Sequence, residues 1–157
     1  MSQNLGADSA QTEHARWIDS CRKLIALDSS PTSSTVEVVS YLEQLATDAG
    51  FHVEVMHEIQ NGITQANIIV RPEKFNPGDS EFLLQAHLDT ADPGNFALWK
   101  KNGFNPFDAS IEDGKIYGLG AAEVKLDFLC KLNALKALRG KTFTNLNSYT
   151  YTCMNYK

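Results

Sequence analysis

His87, Leu88 and Asp89 close an apolar run, Phe82-Leu83-Leu84-Gln85-Ala86, and set an imidazole and a carboxylate two residues apart where a strand should emerge from a core. In extended chain, residues i and i+2 share a face. Asp89 is therefore placed to orient His87 or to join it around a cation, because a carboxylate behind a metal-binding imidazole holds it in one tautomer. The spacing alone is common, and a plain surface loop after a strand accounts for it as well.

A second set of residues with chemical potential is Gly118-Leu119-Gly120-Ala121-Ala122-Glu123. It follows a strand predicted over Lys115 to Tyr117 and precedes a helix carrying Leu126, Leu129, Leu132 or Asn133, and Lys136. A strand, a glycine turn and a helix invite a dinucleotide-binding reading, but the G-x-G-x-x-G pattern fails at its last glycine, where Glu123 stands. A carboxylate there would repel the pyrophosphate that the helix N–H groups should cradle. The helix dipole would instead stabilise it, and it could hold a cation.

The elements that must position these residues alternate between helix and strand. Trp17, Cys21, Leu24 and Ile25 form the apolar stripe of a helix over Ser9 to Leu27. After Ser29-Ser30-Pro31, Ser34 with Glu37 reads as a capping box opening a second helix. Its inward residues would be Val38, Leu42, Leu45 and Ala49, and Gly50 would end it. Phe51, Val53 and Val55 alternate with polar residues as a half-buried strand does. Asn61-Gly62 signals a hairpin turn, Ala66 to Val70 a second strand, and Asn76-Pro77-Gly78-Asp79 another turn. His14, His52 and His57 have no useful partner in this pattern and read as solvated or packed. Between Thr90 and Asp113 lies a long loop in which Trp99, Phe104 and Phe107 are the expected aromatic anchors.

Composition sets the bounds. A chain of 157 residues can bury roughly 70% of its unfolded surface in one domain. Its net charge of −5, without a run of more than two Lys or Arg, argues against nucleic acid or an anionic membrane as partner. The opening residues lack the basic and apolar regions of a secretory signal, and no stretch has the roughly 18 apolar residues of a membrane span. Cys21, Cys130 and Cys153 are odd in number and widely spaced, which fits reduced thiols in a cytoplasm. Cys21 and Cys130 sit on apolar stripes, so packing is expected for both.

From Arg16 to Leu138, and most specifically from Leu84 to Lys125, the chain resembles the M20 family of zinc-dependent metallopeptidases and amidohydrolases. The residues that carry the resemblance are His87-Leu88-Asp89-Thr90 followed by Trp99, Pro106-Phe107 and Asp113 to Lys125. Tyr117-Gly118-Leu119-Gly120 is most similar to acetylornithine deacetylase, within a group that includes succinyl-diaminopimelate desuccinylase.

The resemblance implies a site with two zinc ions, or cobalt or manganese, acting on N-acyl amino acids or peptides. It implies that His87 ligates a metal, that Asp89 is the catalytic-site carboxylate orienting His87, and that Glu123 is the bridging ligand. Glu123 departs from the aspartate of the family pattern by one methylene, and Leu126 replaces a glycine. The resemblance further implies a strand over Asn145 to Cys153 followed by a pair of glutamates, and no such pair follows it in residues 154–157. Residues 1–157 are thus expected to be the N-terminal part of an M20-like catalytic domain, inactive alone. The smaller lid domain, which forms the homodimer in full-length relatives, would be absent. The fold class expected is α/β, three-layer α/β/α around a mixed sheet. The alternative is a non-catalytic remnant or partner-binding fragment without metal chemistry.

Overall fold

The computed structural model describes residues 5–71, 81–139 and 148–153, with side chains over 11–71 and 83–139. The chain runs α1 (Leu5–Ala26), α2 (Val36–Asp48), β1 (His52–Gln60), β2 (Ile63–Arg71) and β3 (Glu81–Ala86). Two short 3-10 turns, Phe96–Leu98 and Lys100–Asn102, lead to a small hairpin of β4 (Ser110–Glu112) and β5 (Lys115–Tyr117), and α3 (Lys125–Leu138) and β6 (Ser148–Cys153) complete it. The turn expected at Asn76 to Asp79 and the Cys153 side chain lie outside the described residues.

The main sheet has the order β1-β2-β6-β3. β1 and β2 are an antiparallel hairpin, and β6 inserts between β2 and β3, antiparallel to the first and parallel to the second. The parallel pair needs a crossover, and α3 supplies it. The fold is therefore α/β with a mixed sheet, as the alternating pattern predicts. Both strands of the hairpin outrun their apolar cores. Asn61 and Gly62 adopt positive φ of 51° and 80°, the backbone a tight two-residue turn requires, and pairing continues from that turn through polar Glu58 and Gln60.

The core lies on one face of this sheet. Val53 stands opposite Val70 and Val55 opposite Ile68, and they join Leu84 and Ala86 against Cys21, Leu24 and Ile25 of α1, Val38, Val39 and Leu42 of α2, and Phe128, Leu129 and Leu132 of α3. On the other face Glu54, Met56, Leu83 and Gln85 are exposed. The described residues thus supply the sheet and the helices of one of its two faces.

Three sequence expectations change. The capping box at Ser34 does not form, and α2 begins after Thr35, whose side chain makes no cap bond. Thr35 Oγ1 serves β2, accepting from the Ala66 N–H at 2.8 Å, and Ser34 Oγ is shared, donating to the Thr64 carbonyl while accepting from the Val36 N–H at 3.2 Å. Cys130 is exposed, whereas Cys21 is buried. The α3 stripe of Leu126, Leu129 and Leu132 turns Cys130 outward. His52, finally, does have a carboxylate neighbour, Glu54 at 3.7 Å, but both are exposed and Glu54 is already paired with Arg71 at 2.7 Å.

Burial, and then the neighbouring Cys130 thiol, pushes the Cys21 thiol up from 9.0 to about 11, against a backbone hydrogen bond that lowers it. The folded state then holds this proton more tightly than the unfolded chain. The resulting stability is fully present below pH 9 and is lost as pH rises towards 11. Urea unfolding at pH 8 and pH 11 should show this as a loss on the order of 2–3 kcal/mol in the wild type that is missing in Cys21→Ala. Equal pH slopes in the two proteins would refute it.

Candidate functional site

The alternation of β3 continues past its last paired residue. Ala86, Leu88 and Thr90 are buried, while His87 is exposed and Asp89 lies between, so His87 and Asp89 do share a side. The orienting contact, however, comes from the backbone: His87 Nδ1 lies 2.9 Å from the Asp89 carbonyl oxygen. A carbonyl only accepts, so this bond puts the ring proton on Nδ1 and leaves the Nε2 lone pair free. Asp89 Oδ1 reaches 3.3 Å from the same nitrogen without hydrogen-bond geometry. It is buried and has no hydrogen-bond partner. A buried, unpaired carboxylate oxygen is costly unless a cation or donor completes it.

Glu123 is exposed and lies outside the helix. Residues 121–124 form a turn, the N-cap is Val124, and α3 starts at Lys125, so the expected placement of Glu123 on the helix N-terminus is corrected. Val124 is only 4% exposed; its burial uses the residue after Glu123 to turn the chain inward first. The Lys125 N–H donates back to the Gly120 carbonyl at 2.9 Å and closes this turn.

Among the described residues no three His, Cys, Asp or Glu side chains come together as a metal-holding group. Catalytic zinc ordinarily takes three protein ligands. The described residues fit one ligand position, His87 Nε2, with the orphaned Asp89 oxygen behind it, and do not complete a centre.

The glycines have a packing role. A Cβ on Gly118 would lie 2.3 Å from Ile25 Cγ2, and one on Gly120 would lie 2.6 Å from Thr90 Cγ2. The turn that resembles a phosphate loop is therefore glycine-rich because it presses against α1 on one side and the His87 segment on the other.

Lys125 is fully buried. Its Nζ donates to the Ile25 carbonyl at 3.3 Å and to the Leu27 carbonyl, at the end of α1. Burial pushes its pKa down to about 8, and the Asp28 charge works against that shift. Burial would raise Asp28, but hydrogen bonds from the Ser30 N–H at 2.9 Å and Ser33 Oγ at 2.7 Å, with the Lys125 charge, hold it below its ordinary value. Ser29 ties this segment to the other half: its Oγ donates to the Leu88 carbonyl at 2.7 Å, and its own carbonyl accepts from the Thr90 N–H at 2.9 Å. Sequence reasoning saw Ser29-Ser30 only as a helix break; a pair of buried serines has no periodic signal.

The loop after Thr90 is anchored differently from the sequence expectation. Trp99 is half-buried, its Nε1 donating to the Pro93 carbonyl at 2.8 Å, and Phe107 packs edge-on against Phe96 at 6.4 Å. Phe104 is 58% exposed, so its ring is not the anchor expected; its backbone N–H donates to the Trp99 carbonyl at 2.9 Å. The missed anchor is Asn102, 4% exposed, whose Nδ2 donates to the Asp108 carbonyl at 2.7 Å and the Tyr117 carbonyl at 2.8 Å. Trp99, Lys101, Asn102, Ile116, Tyr117 and Gly118 border a hollow of about 350 Å³.

This mixed-sheet α/β arrangement is shared with solved peptidases. Human carnosine dipeptidase 1 superposes with a TM-score of 0.63 over 94% of this chain and 33% of its own, at 16% identity. An M20 family metallo-carboxypeptidase from Sulfolobus solfataricus gives 0.62 over 88% and 30%, at 20% identity. These likenesses define the fold.

Sequence goes further. Residues 83–149 match peptidase family M20/M25/M40. Acetylornithine deacetylase of Pectobacterium carotovorum is 32% identical over 111 residues, 71% of this chain and 27% of the relative. Succinyl-diaminopimelate desuccinylase of Rickettsia felis is 30% identical over 105 residues, 67% of this chain and 26% of the relative. The chain belongs to the M20 peptidase family, whose metallopeptidases depend on metal, and spans about a quarter of these two relatives.

Two substitutions test this packing. Gly118→Ala must displace Ile25 and should cost on the order of 1–3 kcal/mol in urea unfolding. Asn102→Ala leaves two carbonyls unpaired, roughly 2 kcal/mol, and should speed tryptic cleavage at Lys100 and Lys101 several-fold. A wild-type cleavage rate would show that Asn102 does not hold the loop.

Proposed function

We propose that this chain carries part of the metal centre of an M20 amide hydrolase acting on N-acyl amino acids or small peptides, and that the 157-residue chain alone does not turn substrate over. The observation that supports this most is the 2.9 Å contact of His87 Nδ1 with the Asp89 carbonyl: a carbonyl only accepts, so the contact assigns the ring proton to Nδ1 and leaves Nε2 to act as a ligand. In this reading residues 1–157 form the N-terminal part of the catalytic domain. His87 ligates through Nε2, the Asp89 side chain backs the ring, and Glu123 supplies the bridging carboxylate. Bound metal, zinc or else cobalt or manganese, would supply an activated water and polarise the scissile carbonyl.

The chain's own contribution is to hold and aim. Glu123 stands in solvent and is one methylene longer than an aspartate, so its carboxylate is less preorganised than the shorter side chain would be. A cytoplasmic setting accords with the free thiols Cys21 and Cys130. Exposed Leu98 and Phe104 are the feature that would favour a non-catalytic, partner-binding fragment.

Zinc titration calorimetry on the monodisperse chain should give weak binding that His87→Ala abolishes and Glu123→Ala weakens. N-acetylornithine hydrolysis should be absent from the chain alone and return on mixing with the remaining part of a homologous enzyme. Zinc binding indifferent to His87→Ala would overturn the ligand assignment. Self-association without zinc binding would support the non-catalytic fragment.

A further inference from the structure

The two halves of the candidate site never bond each other directly in any contact described above. What joins them is the short segment from Ile25 to Ser29. On one side it receives Lys125 Nζ through the Ile25 and Leu27 carbonyls. On the other, Ser29 makes two bonds to the segment that carries His87.

The geometry points to Ser29 as a positioning residue for His87, with Lys125 acting through the same segment. The chain of cause is short. A trans peptide points its N–H and C=O in opposite directions in one plane. The peptide joining Asp89 to Thr90 has its N–H fixed by the Ser29 carbonyl at 2.9 Å, which aims its C=O the other way, where it meets His87 Nδ1 at 2.9 Å. The preceding peptide, joining Leu88 to Asp89, has its C=O fixed by Ser29 Oγ at 2.7 Å. Ser29 thus holds both peptide planes that flank Asp89, and it is 1% exposed, so water cannot substitute for its hydroxyl at once. Fixing those planes fixes which ring nitrogen of His87 carries the proton.

Lys125 sets where Ser29 stands. Its ammonium grips the two carbonyls that end α1, and its backbone N–H closes the turn carrying Glu123. Moving the Glu123 turn therefore moves the Ile25–Ser29 segment, and with it the peptide plane that directs His87. This extends the proposed function, because it assumes that His87 and Glu123 serve one centre. Its test uses no metal and no substrate, so it fails or stands separately from the metal assignment.

The experiment is nitrogen-15 NMR of the His87 ring in the metal-free 157-residue chain, assigned with His87→Ala, together with amide exchange at Thr90. The wild type should show His87 as the Nδ1-protonated tautomer. Ser29→Ala keeps the backbone carbonyl that accepts from Thr90 but loses the hydroxyl bond to the Leu88 carbonyl that holds the two segments in register; it should move the ring signals towards a mixture of tautomers and speed Thr90 exchange about tenfold, leaving the amides of the β1–β2 hairpin unchanged. Lys125→Met should give the same ring shift, and Lys125→Arg, which keeps a cation and donors, should restore the wild-type signature. A folded Ser29→Ala protein with wild-type His87 signals would overturn the proposal, and this arm decides the matter even where Lys125→Met does not fold.

Discussion

The structure depends on a cation buried at the first residue of α3. An ammonium removed from water is tolerated only where oxygen atoms replace its hydration. Lys125 finds them at the C-terminal end of α1, where carbonyls lack helical partners and the helix dipole favours positive charge. The far end of α3 repeats the device: the Arg139 guanidinium donates to the carbonyls of Ala49 and Gly50, just past α2, and lies over the Phe51 ring. One helix thus finishes two others with cations at its two ends. Lys131 between them reaches the Gln85 carbonyl of β3 at 2.7 Å and pairs with Asp127.

These anchors explain how a crossover helix delivers chemistry. Packing of Phe128, Leu129 and Leu132 sets the distance of α3 from the sheet, but apolar contact is non-directional and leaves sliding and rotation open. The three directional cation contacts remove that freedom. The glycine turn in front of α3 can then approach Ile25 and Thr90 within distances that any Cβ would forbid. Glu123 and the His87 segment are brought to the same end of the sheet by these contacts, with the Ile25–Ser29 segment wedged between them.

The one-sided core fits a chain that spans about a quarter of two of its relatives. Leu83 and Met56, on the face away from the described helices, are half-exposed, as sheet residues are where no helix layer packs against them. The two faces also bear on the site: His87 and Asp89 leave the sheet on the side of Leu83 and Gln85, away from the core, so the candidate ligand stands over the face that the described residues leave open.

Sequence by itself determined the elements and the family. The i, i+3, i+4 stripes of the three helices, the alternation of the hairpin and the Asn61-Gly62 turn are local codes, each readable because its period or dihedral demand belongs to a few adjacent residues. The family was carried by a longer run, His87-Leu88-Asp89-Thr90 with Trp99, Pro106-Phe107 and Asp113 to Lys125, whose combined resemblance is specific where each piece alone is common. Only the tertiary structure decided the rest. Ser34 looks like the start of a capping box until the helix begins one residue later and β2 shares its hydroxyl, and Cys130 looks like a core residue until α3 rotates to bury its leucines. Glu123 falls outside the helix because Val124 must turn inward. The work of Ser29, Asn102 and Lys125 is invisible in one dimension, because each bonds backbone carbonyls, at separations of 59 residues for Ser29 to Leu88 and 100 for Lys125 to Ile25. A carbonyl is present at every position, so side-chain identity carries no record of which one will be met; only the folded chain selects it.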